Sequence, residues 1–357
     1  MQPIGYPVNQ ALLQRYWQNF MATGSITAVP GAEPDVTIIQ SWQRCAPLTD
    51  PVIAPHPPVL REPALQSLLK SQNEIITVAI PFMEDMHQYI EGSGAAILLT
   101  DGTGCLLTLC GDPVALQMVD KRSLGIGAYW SEAYLGTNAL GVSLVSATPV
   151  QVVGAEHYFK TFHRFTSTAA PIHDVNGRIL AVIGVVNSVK DATSHTLSLV
   201  MAVARAIGNQ LQADLYLEEA NRRLTELNTI MESIAEGVLT WNSNGKINHV
   251  NAQAGRLLNL SPASVLGLPL TDVLRLPEVL QSALNNDKDL EDTEVNLTVK
   301  LTGEHLQSVV TLRVVWEYGH PVGYMMMLRP LAQVRRLVNL QVGSQAMLKL
   351  ENVFAES

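Results

Sequence analysis

The stretch of sequence that decides the fold runs from Tyr134 to Asp174 and reads YLGTNALGVSLVSATPVQVVGAEHYFKTFHRFTSTAAPIHD. A Gly-Thr-Asn triplet precedes a short apolar segment, which indicates the start of a helix, and apolar runs at Pro149–Val153 and Thr166–Ile172 predict buried strands. Between the strands, aromatic and histidine side chains stand among apolar ones, as in the lining of a pocket or a protein-binding surface. The stretch matches no nucleophile, metal or phosphate-binding motif, which favours a sensor over an enzyme.

The length and composition of the chain indicate several folded domains. Of its 357 residues, 47% are hydrophobic and only 15% are charged, so there is enough apolar material for two or three cores. The net charge of −9 argues against nucleic-acid binding through this chain, because contacts to phosphates require clustered Lys and Arg. Cys45, Cys105 and Cys110 are too few for a disulfide framework and fit a reducing compartment.

Two further features of the sequence indicate where in the cell the protein resides. No apolar run reaches the roughly 18 residues that a membrane-spanning helix needs. The first ten residues, MQPIGYPVNQ, lack the basic and then apolar pattern of a signal peptide. We therefore expect a cytoplasmic protein with no membrane contact.

The order of predicted elements indicates an α+β protein with two sheet-containing domains. The helical period over Ala64–Ile90 predicts one helix, which Pro81 is expected to kink or restart. The division we predict is a helical lead-in at residues 1–63, a first α+β domain at 64–193, a linking helix at 194–234, a second α+β domain at 235–330 and a C-terminal helix at 331–357.

The linking helix carries an apolar repeat with alternating steps of three and four residues, interrupted once between Leu211 and Leu217. Such a repeat is typical of a coiled-coil seam, and it also occurs on a helix that packs on its own domain. The length of the run between two domains favours the seam of a parallel homodimer. The predicted seam residues are Leu197, Val200, Ala204, Ile207, Leu211, Leu217, Ala220, Leu224, Leu227 and Met231.

Three short motifs resemble those of acetoin-type transcriptional activators. They are SWQRC at Ser41–Cys45, LGTNALG at Leu135–Gly141 and AAPIHD at Ala169–Asp174. The first α+β domain is similar to a GAF domain and the second to a PAS domain, and the resemblance covers essentially the whole chain. It implies the sensory half of an activator, with a long signalling helix between the two domains.

Within this family the chain is similar to regulators of a dihydroxyacetone kinase operon, which implies control by subunits of that kinase, bound as coactivator and corepressor. Family members continue into an ATPase domain that acts on polymerase carrying the nitrogen-type sigma factor, and then into a helix-turn-helix. This chain has no G-x-x-x-x-G-K-[ST] motif. We therefore expect neither ATPase activity nor DNA binding from it, and we expect the C-terminal helix to lead to an ATPase domain that is absent.

Several residues have side chains that could carry out chemistry, but a structural role is the simpler interpretation for each. Thr137 or Asn138 is expected to cap the following helix, while the alternative is that the free amides there bind an anion. The spacing of His157, His163 and His173 fits no zinc pattern, so hydrogen-bonded histidines are expected. Ser167 has no base at a defined spacing, which makes a hydrolase the weakest interpretation. We expect no metal and no cofactor.

The aromatic segment before the second strand is the predicted recognition surface, and its expected partner is another protein. The alternative is a small-molecule receptor, with the ligand in the GAF pocket near Leu135–Gly141 and His157–His173. The predicted surface residues are Glu156, His157, Tyr158, Phe159, Phe162, His163 and Phe165. In the PAS domain a dry core is expected from Val238, Val250, Leu257, Leu258, Leu270, Val310 and Met326.

Overall fold

The structure is a computed structural model that describes residues 10–24, 35–191 and 193–332. The chain divides into two units, and the boundary between them falls at Glu218, within a long helix. Each unit combines helices with an antiparallel sheet, so the prediction of mixed helix and sheet is confirmed. After its first two positions, the predicted C-terminal helix at residues 331–357 lies outside the described residues.

The first unit is built on an antiparallel five-stranded sheet. The strands are β1 Ala96–Asp101, β2 Leu106–Gly111, β3 Val150–Val153, β4 Phe165–His173 and β5 Ile179–Ser188. Their order in the sheet is β2-β1-β5-β4-β3. The helices before and around the sheet are α1 Gln10–Thr23, α2 Val36–Cys45, α3 Ala64–Ser71, α4 Asn73–Ile90, α5 Pro113–Lys121, α6 Glu132–Leu135 and α7 Ala139–Ser146.

This sheet carries buried apolar side chains on both faces. Along β1, Leu98 belongs to one buried cluster together with Trp42 of α2. Its neighbours Ile97 and Leu99 belong to a second cluster together with Met83 of α4. Because successive side chains of a strand point to opposite faces, helices must cover both sides of the sheet. That explains why β1 is an uninterrupted apolar run.

The predicted helix over Ala64–Ile90 does contain a break, but the break is not at the proline. The chain leaves helical geometry at Gln72, between α3 and α4, whereas Pro81 lies inside α4. A proline in a helix interior removes one backbone hydrogen bond. Burial of Ala79 and Met83 on either side of Pro81 offsets that loss, because it holds this face of α4 against the sheet.

A helix of 40 residues, α8, runs from Ser194 to Ser233. Its apolar residues Val200, Ala204 and Ile207 are buried in the same cluster as Met83 of α4, so this part of the helix packs on the sheet of the first unit. Among the described residues no helix, α8 included, is both long and apolar enough to cross a membrane.

The second unit begins beyond Glu218 and contains a six-stranded sheet. Its strands are β6 Gly237–Asn242, β7 Ile247–Val250, β8 Leu274–Arg275, β9 Leu290–Val299, β10 His305–Glu317 and β11 His320–Pro330. Their order is β7-β6-β11-β10-β9-β8, with antiparallel pairing throughout. Four helices lie between β7 and β9, namely α9 Ala252–Leu258, α10 Pro262–Val265, α11 Leu270–Val273 and α12 Glu278–Asn285.

The interior of the second unit is an apolar cluster that contains most of the residues predicted for a dry core. Trp241 of β6 stacks on Tyr324 of β11 with ring centroids 5.7 Å apart. The predicted core residues in this cluster are Val250, Leu258, Leu270, Val310 and Met326, with Leu257 packed against it. Val238 is also buried, at 1% exposure.

Candidate functional site

The Gly-Thr-Asn triplet fixes the start of α7 through the side chain of Asn138. The Asn138 Oδ1 accepts a hydrogen bond from the Gly141 amide at 3.0 Å, which satisfies a first-turn donor that has no partner within the helix. Its Nδ2 donates to the carbonyl oxygens of Trp130 and Gly136 at 3.0 and 2.9 Å. Of the two predicted caps, Asn138 therefore performs this role.

Gly136 is required by the geometry just before the cap. Its φ of 59° and ψ of −162° lie in a region that is essentially restricted to glycine. A Cβ at this position would lie 2.8 Å from Cβ of Tyr158 and 3.0 Å from Cδ2 of Phe159. The triplet and the aromatic segment are therefore in direct contact.

The SWQRC motif of α2 holds this region from the other side. The hydroxyl groups of Ser41 and Thr137 share a hydrogen bond of 2.7 Å. The indole N–H of Trp42 donates to the carbonyl oxygen of Glu156 at 2.7 Å. Arg44 forms a two-point ion pair with the buried carboxylate of Glu132, at 2.7 and 2.8 Å. Each of these contacts is structural, because it gives a buried polar group its hydrogen-bond partner.

The structure places much of the predicted recognition surface inside the first unit. Tyr158 and Phe159 are 1% and 2% exposed, because their rings pack in the same cluster as the side chains of α1 and α2. Glu156 and His157 are buried as well. In this conformation these four side chains cannot contact a partner protein. The partly exposed members of the predicted surface are Phe162, His163 and Phe165.

A cavity of about 50 Å³ lies beside this segment. Its polar lining comes from Arg122, Asn138, His157, Ser167 and Asn187. Its apolar lining includes Ala96, Ala115, Val119, Trp130, Leu135, Phe162 and Val186. The small-ligand alternative predicted a site near Leu135–Gly141 and His157–His173, and five of these lining residues fall in those ranges: Leu135, Asn138, His157, Phe162 and Ser167. Arg122 and Asn187 were not predicted, because nothing in their local sequence connects the end of α5 with β5.

His157 and Ser167 form a hydrogen-bonded pair in the lining. The His157 Nδ1 lies 3.0 Å from the Gly154 carbonyl oxygen, which can only accept, so Nδ1 carries the proton. The Nε2 therefore accepts from the Ser167 hydroxyl at 2.9 Å. Ser167 Oγ in turn accepts from the Ala139 amide at 3.0 Å. Each group in this chain has a partner.

This pair is better suited to binding than to catalysis. Burial lowers the pKa of His157 to about 4, so the imidazole is neutral and is a poor proton acceptor at neutral pH. A serine nucleophile needs a base that can take its proton. In the described ranges no three His, Cys, Asp or Glu side chains are grouped to hold a metal ion either. His157 is thus a hydrogen-bonding residue of the cavity wall.

Two buried neighbours, Glu156 and His157, are expected to make the stability of the fold depend on pH in opposite directions. Burial raises the pKa of Glu156 in the folded chain to about 7, above its pKa in the unfolded chain. The stability that Glu156 contributes is therefore lost as the pH rises from the unfolded-state pKa toward 7. The pKa of folded His157, about 4, lies below its unfolded value, so its contribution is lost as pH falls toward 4. In the weakly acidic range the two effects partly cancel.

We expect Glu156→Gln to reveal the loss of stability on acidification that His157 causes. Between pH 4.5 and 6.5 the variant should lose stability on acidification more steeply than the wild type, by up to about 1 kcal/mol per pH unit. Urea unfolding at a series of pH values measures this slope. Glu91→Gln, at an exposed position, is the matched control and should leave the slope unchanged. Equal slopes for the wild type and Glu156→Gln would contradict the assignment.

The structure divides the predicted seam of α8 into two parts. Val200, Ala204, Ile207 and Leu211 are buried in the first unit, at 0–5% exposure. Beyond Leu211 the exposed seam residues are Leu217, Ala220, Leu224 and Leu227, and Met231 is half-buried. Leu197, near the start of the helix, is also half-buried. The simpler interpretation, packing on the same domain, therefore describes the first part, and the homodimer seam stays a prediction for the second.

Comparison with protein families gives two matches. A family described as MimR, N-terminal domain, matches residues 10–213, and the PAS fold matches residues 225–331. Together they account for the two units of the structure. Neither family is an enzyme family.

Several curated relatives of this chain are operon regulators. The chain is 30% identical over 318 residues to the PTS-dependent dihydroxyacetone kinase operon regulatory protein of Escherichia coli, covering 89% of this chain and 48% of the relative. It is 29% identical over 314 residues to the glycerol metabolism operon regulatory protein of Citrobacter freundii, covering 88% and 48%. Against the acetoin dehydrogenase operon activator AcoR of Bacillus subtilis it is 32% identical over 198 residues, covering 55% and 32%. The chain thus spans about half the length of the first two relatives.

A solved structure also resembles most of the chain. It is the crystal structure of the Escherichia coli DhaR(N)–DhaL complex, which matches with a TM-score of 0.77 and 29% sequence identity. The match covers 83% of this chain and 99% of the matched chain.

Proposed function

This chain belongs to the family with the MimR N-terminal domain, and we propose that it is the sensory region of a transcriptional activator of a dihydroxyacetone kinase operon. The observation that carries the proposal is the likeness to DhaR(N), which was crystallised in complex with DhaL. In this proposal the chain binds subunits of a dihydroxyacetone kinase, one as coactivator and another as corepressor, and the likeness to a protein crystallised with DhaL supports the binding of a kinase subunit. It acts by binding, in the cytoplasm, without chemistry of its own.

The proposed organisation follows the division predicted from the sequence. Residues 64–193 form a GAF-type sensor behind a helical lead-in at residues 1–63, and residues 235–330 form the PAS sensor. The helix at residues 194–234 links them, and its exposed half pairs with the same helix of a second copy. Exposed apolar side chains on that half, such as Leu224 and Leu227 at 58% each, support the pairing. DNA binding and ATP hydrolysis belong to other parts of such an activator.

Binding of kinase subunits is tested by mixing the purified chain with each subunit of the dihydroxyacetone kinase encoded in the same genome. We expect a stable complex with at least one subunit in size-exclusion chromatography and a calorimetric Kd near about 1 μM or lower. A second subunit should compete with the first if the two act as coactivator and corepressor. Absence of a complex with every subunit would contradict the proposal.

A second candidate function is that of a small-molecule receptor, and the cavity supports it. Ligand sites are typically apolar hollows with a few polar groups that fix orientation, and the wall with Asn138, His157 and Ser167 has this character. A ligand that binds only the folded state raises the melting temperature. Stabilisation by a small molecule in the absence of any kinase subunit would favour this function.

A further inference from the structure

The floor of the cavity consists of short side chains of the sheet. Ala96 of β1, Val186 of β5 and Ser167 of β4 are direct neighbours across three strands, so their side chains point to the same face. Ala115 of α5 lines the cavity as well. Alanine and serine side chains are too short to fill the layer between the sheet and α5 at the density of a protein interior. The hollow therefore follows from the residue types on both elements.

The buried polar side chains around the hollow use their donors within the wall. Both N–H groups of Asn138 Nδ2 donate to backbone carbonyl oxygens. The His157 imidazole N–H and the Ser167 hydroxyl proton are engaged with Gly154 and His157. The Trp130 indole N–H donates to a backbone carbonyl oxygen at 3.1 Å. With these donors engaged, the wall offers few hydrogen bonds to a molecule inside.

The two other polar residues of the lining add little polarity to the interior. Side chains alternate along a strand, so the Asn187 side chain lies on the opposite face of the sheet, with that of Val185 in the cluster that includes α4 and α8. Arg122 is partly exposed and donates to the Thr161 hydroxyl at 3.1 Å, and its guanidinium lies 5.9 Å from the ring centre of Phe162. Its charge therefore stays at the rim of the hollow.

The rest of the wall is aromatic and aliphatic. The largest of these side chains are Trp130, Phe162, Phe165, Met118, Leu124 and Leu135. A buried water molecule needs about two to four polar partners, whereas cavities lined by aliphatic and aromatic side chains stay dry and take up apolar molecules. A molecule that fills such a hollow gains dispersion contacts with the wall and stabilises the folded chain.

We propose that this cavity binds a small, uncharged and largely apolar molecule of roughly two to four carbon atoms. The inference rests on the receptor function given above as the second candidate, and it names the class of ligand. A cavity of about 150 Å³ holds benzene. The volume here is about 50 Å³, so a ligand of this cavity is smaller than benzene. A single hydroxyl group can stay at the rim, whereas a polyol would bury hydroxyl groups that lack partners.

Methyl NMR spectra of the full chain, recorded without any kinase subunit, test the proposal with four probes. Xenon is wholly apolar, 1-propanol and glycerol share one carbon skeleton, and 1-hexanol is longer. We expect xenon and 1-propanol to shift the methyl signals of Ala96, Met118 and Val186, with a dissociation constant for 1-propanol in the millimolar range. The methyl signal of Met326, in the core of the second unit, should not move.

The other two probes separate this cavity from general apolar surface. Glycerol should bind at least about tenfold more weakly than 1-propanol, because its additional hydroxyl groups lose their hydrogen bonds to water. Partition onto apolar surface in general strengthens about fourfold with each added methylene group. A cavity of limited volume does not follow that trend, so 1-hexanol should bind no more tightly than 1-propanol.

Variants that change the volume of the hollow then assign the site. Ala96→Val and Ala115→Met fill it from the sheet and from α5, and each should weaken binding of 1-propanol by at least about tenfold. Met118→Ala enlarges it and should make 1-hexanol the tighter ligand. Ala64→Met, at an exposed helical position that does not line the cavity, is the matched control for Ala115→Met. The melting temperature of each free variant shows whether it is folded, and the gain expected for Met118→Ala does not depend on the filled variants.

Three results would overturn the inference. One is that neither xenon nor 1-propanol shifts the methyl signals of the cavity. Another is that 1-hexanol binds the wild-type chain more tightly than 1-propanol and that the filled variants bind both as the wild type does. The third is that glycerol binds as tightly as 1-propanol, which would leave the receptor function in place with a polar ligand. None of these results bears on the binding of kinase subunits, which is measured separately.

Discussion

Replacement of Trp42 by alanine is expected to destabilise the first unit by about 3–5 kcal/mol, the range for loss of a buried large aromatic side chain. Trp42 is fully buried, and its ring centre lies 5.4 Å from that of Phe20 in α1. Its indole N–H is the hydrogen-bond donor to the Glu156 carbonyl oxygen. The substitution therefore opens a cavity between α1, α2 and the aromatic segment, and it also removes the donor from a buried acceptor.

Urea unfolding followed by circular dichroism measures this loss, with one transition expected for each unit. Only the transition of the first unit should move. Trp42→Phe retains most of the packing and removes the donor, so we expect a smaller loss of about 1–3 kcal/mol. Trp316→Ala, at a position that is 53% exposed in the second unit, is the control and should change either transition by less than about 0.5 kcal/mol. A Trp42→Ala variant as stable as the wild type would show that α2 does not hold the aromatic segment.

The elements of this fold could be predicted from the sequence where the signal is local. The apolar run at Ala95–Thr100 followed by Asp101-Gly102 predicts a strand and a turn, and the structure has the strand at Ala96–Asp101. Asn138 likewise indicates a helix start. The break at Gln72 could not be predicted in this way. Its position depends on how α4 fits the sheet, and a proline nine residues later was the stronger local signal.

The candidate site was harder to predict because its contacts are distant in sequence. Tyr158 looks like an exposed recognition residue until α1 supplies Trp17, 141 residues away, as donor to its carbonyl oxygen. His157 and Ser167 are only ten residues apart, yet their contact depends on the path of the chain into β4. Side-chain spacing reports which face of an element a residue occupies. It does not report which other element covers that face.

The largest expected effect on assembly is that of Leu224→Asp in the exposed half of α8. If this half forms the homodimer seam, Leu224 packs against its counterpart in the second copy, and the variant places two carboxylates in one apolar interface. Burial of unpaired charge costs several kcal/mol, so the dimer dissociation constant should rise by at least about 100-fold. Sedimentation equilibrium over a range of protein concentrations measures this constant.

A leucine on another face of the same helix provides the matched control. Leu215 is 51% exposed, against 58% for Leu224, and it falls outside the three- and four-residue steps from Leu217 to Met231. Leu215→Asp introduces the same charge at similar exposure, so it should leave the dimer intact if the seam has the predicted register. Equal weakening by both variants would mean that charge anywhere on this part of α8 opposes association. A wild-type chain that sediments as a monomer at micromolar concentration would remove the seam altogether, and the exposed leucines would then need a different partner, for which a bound kinase subunit is the first to test.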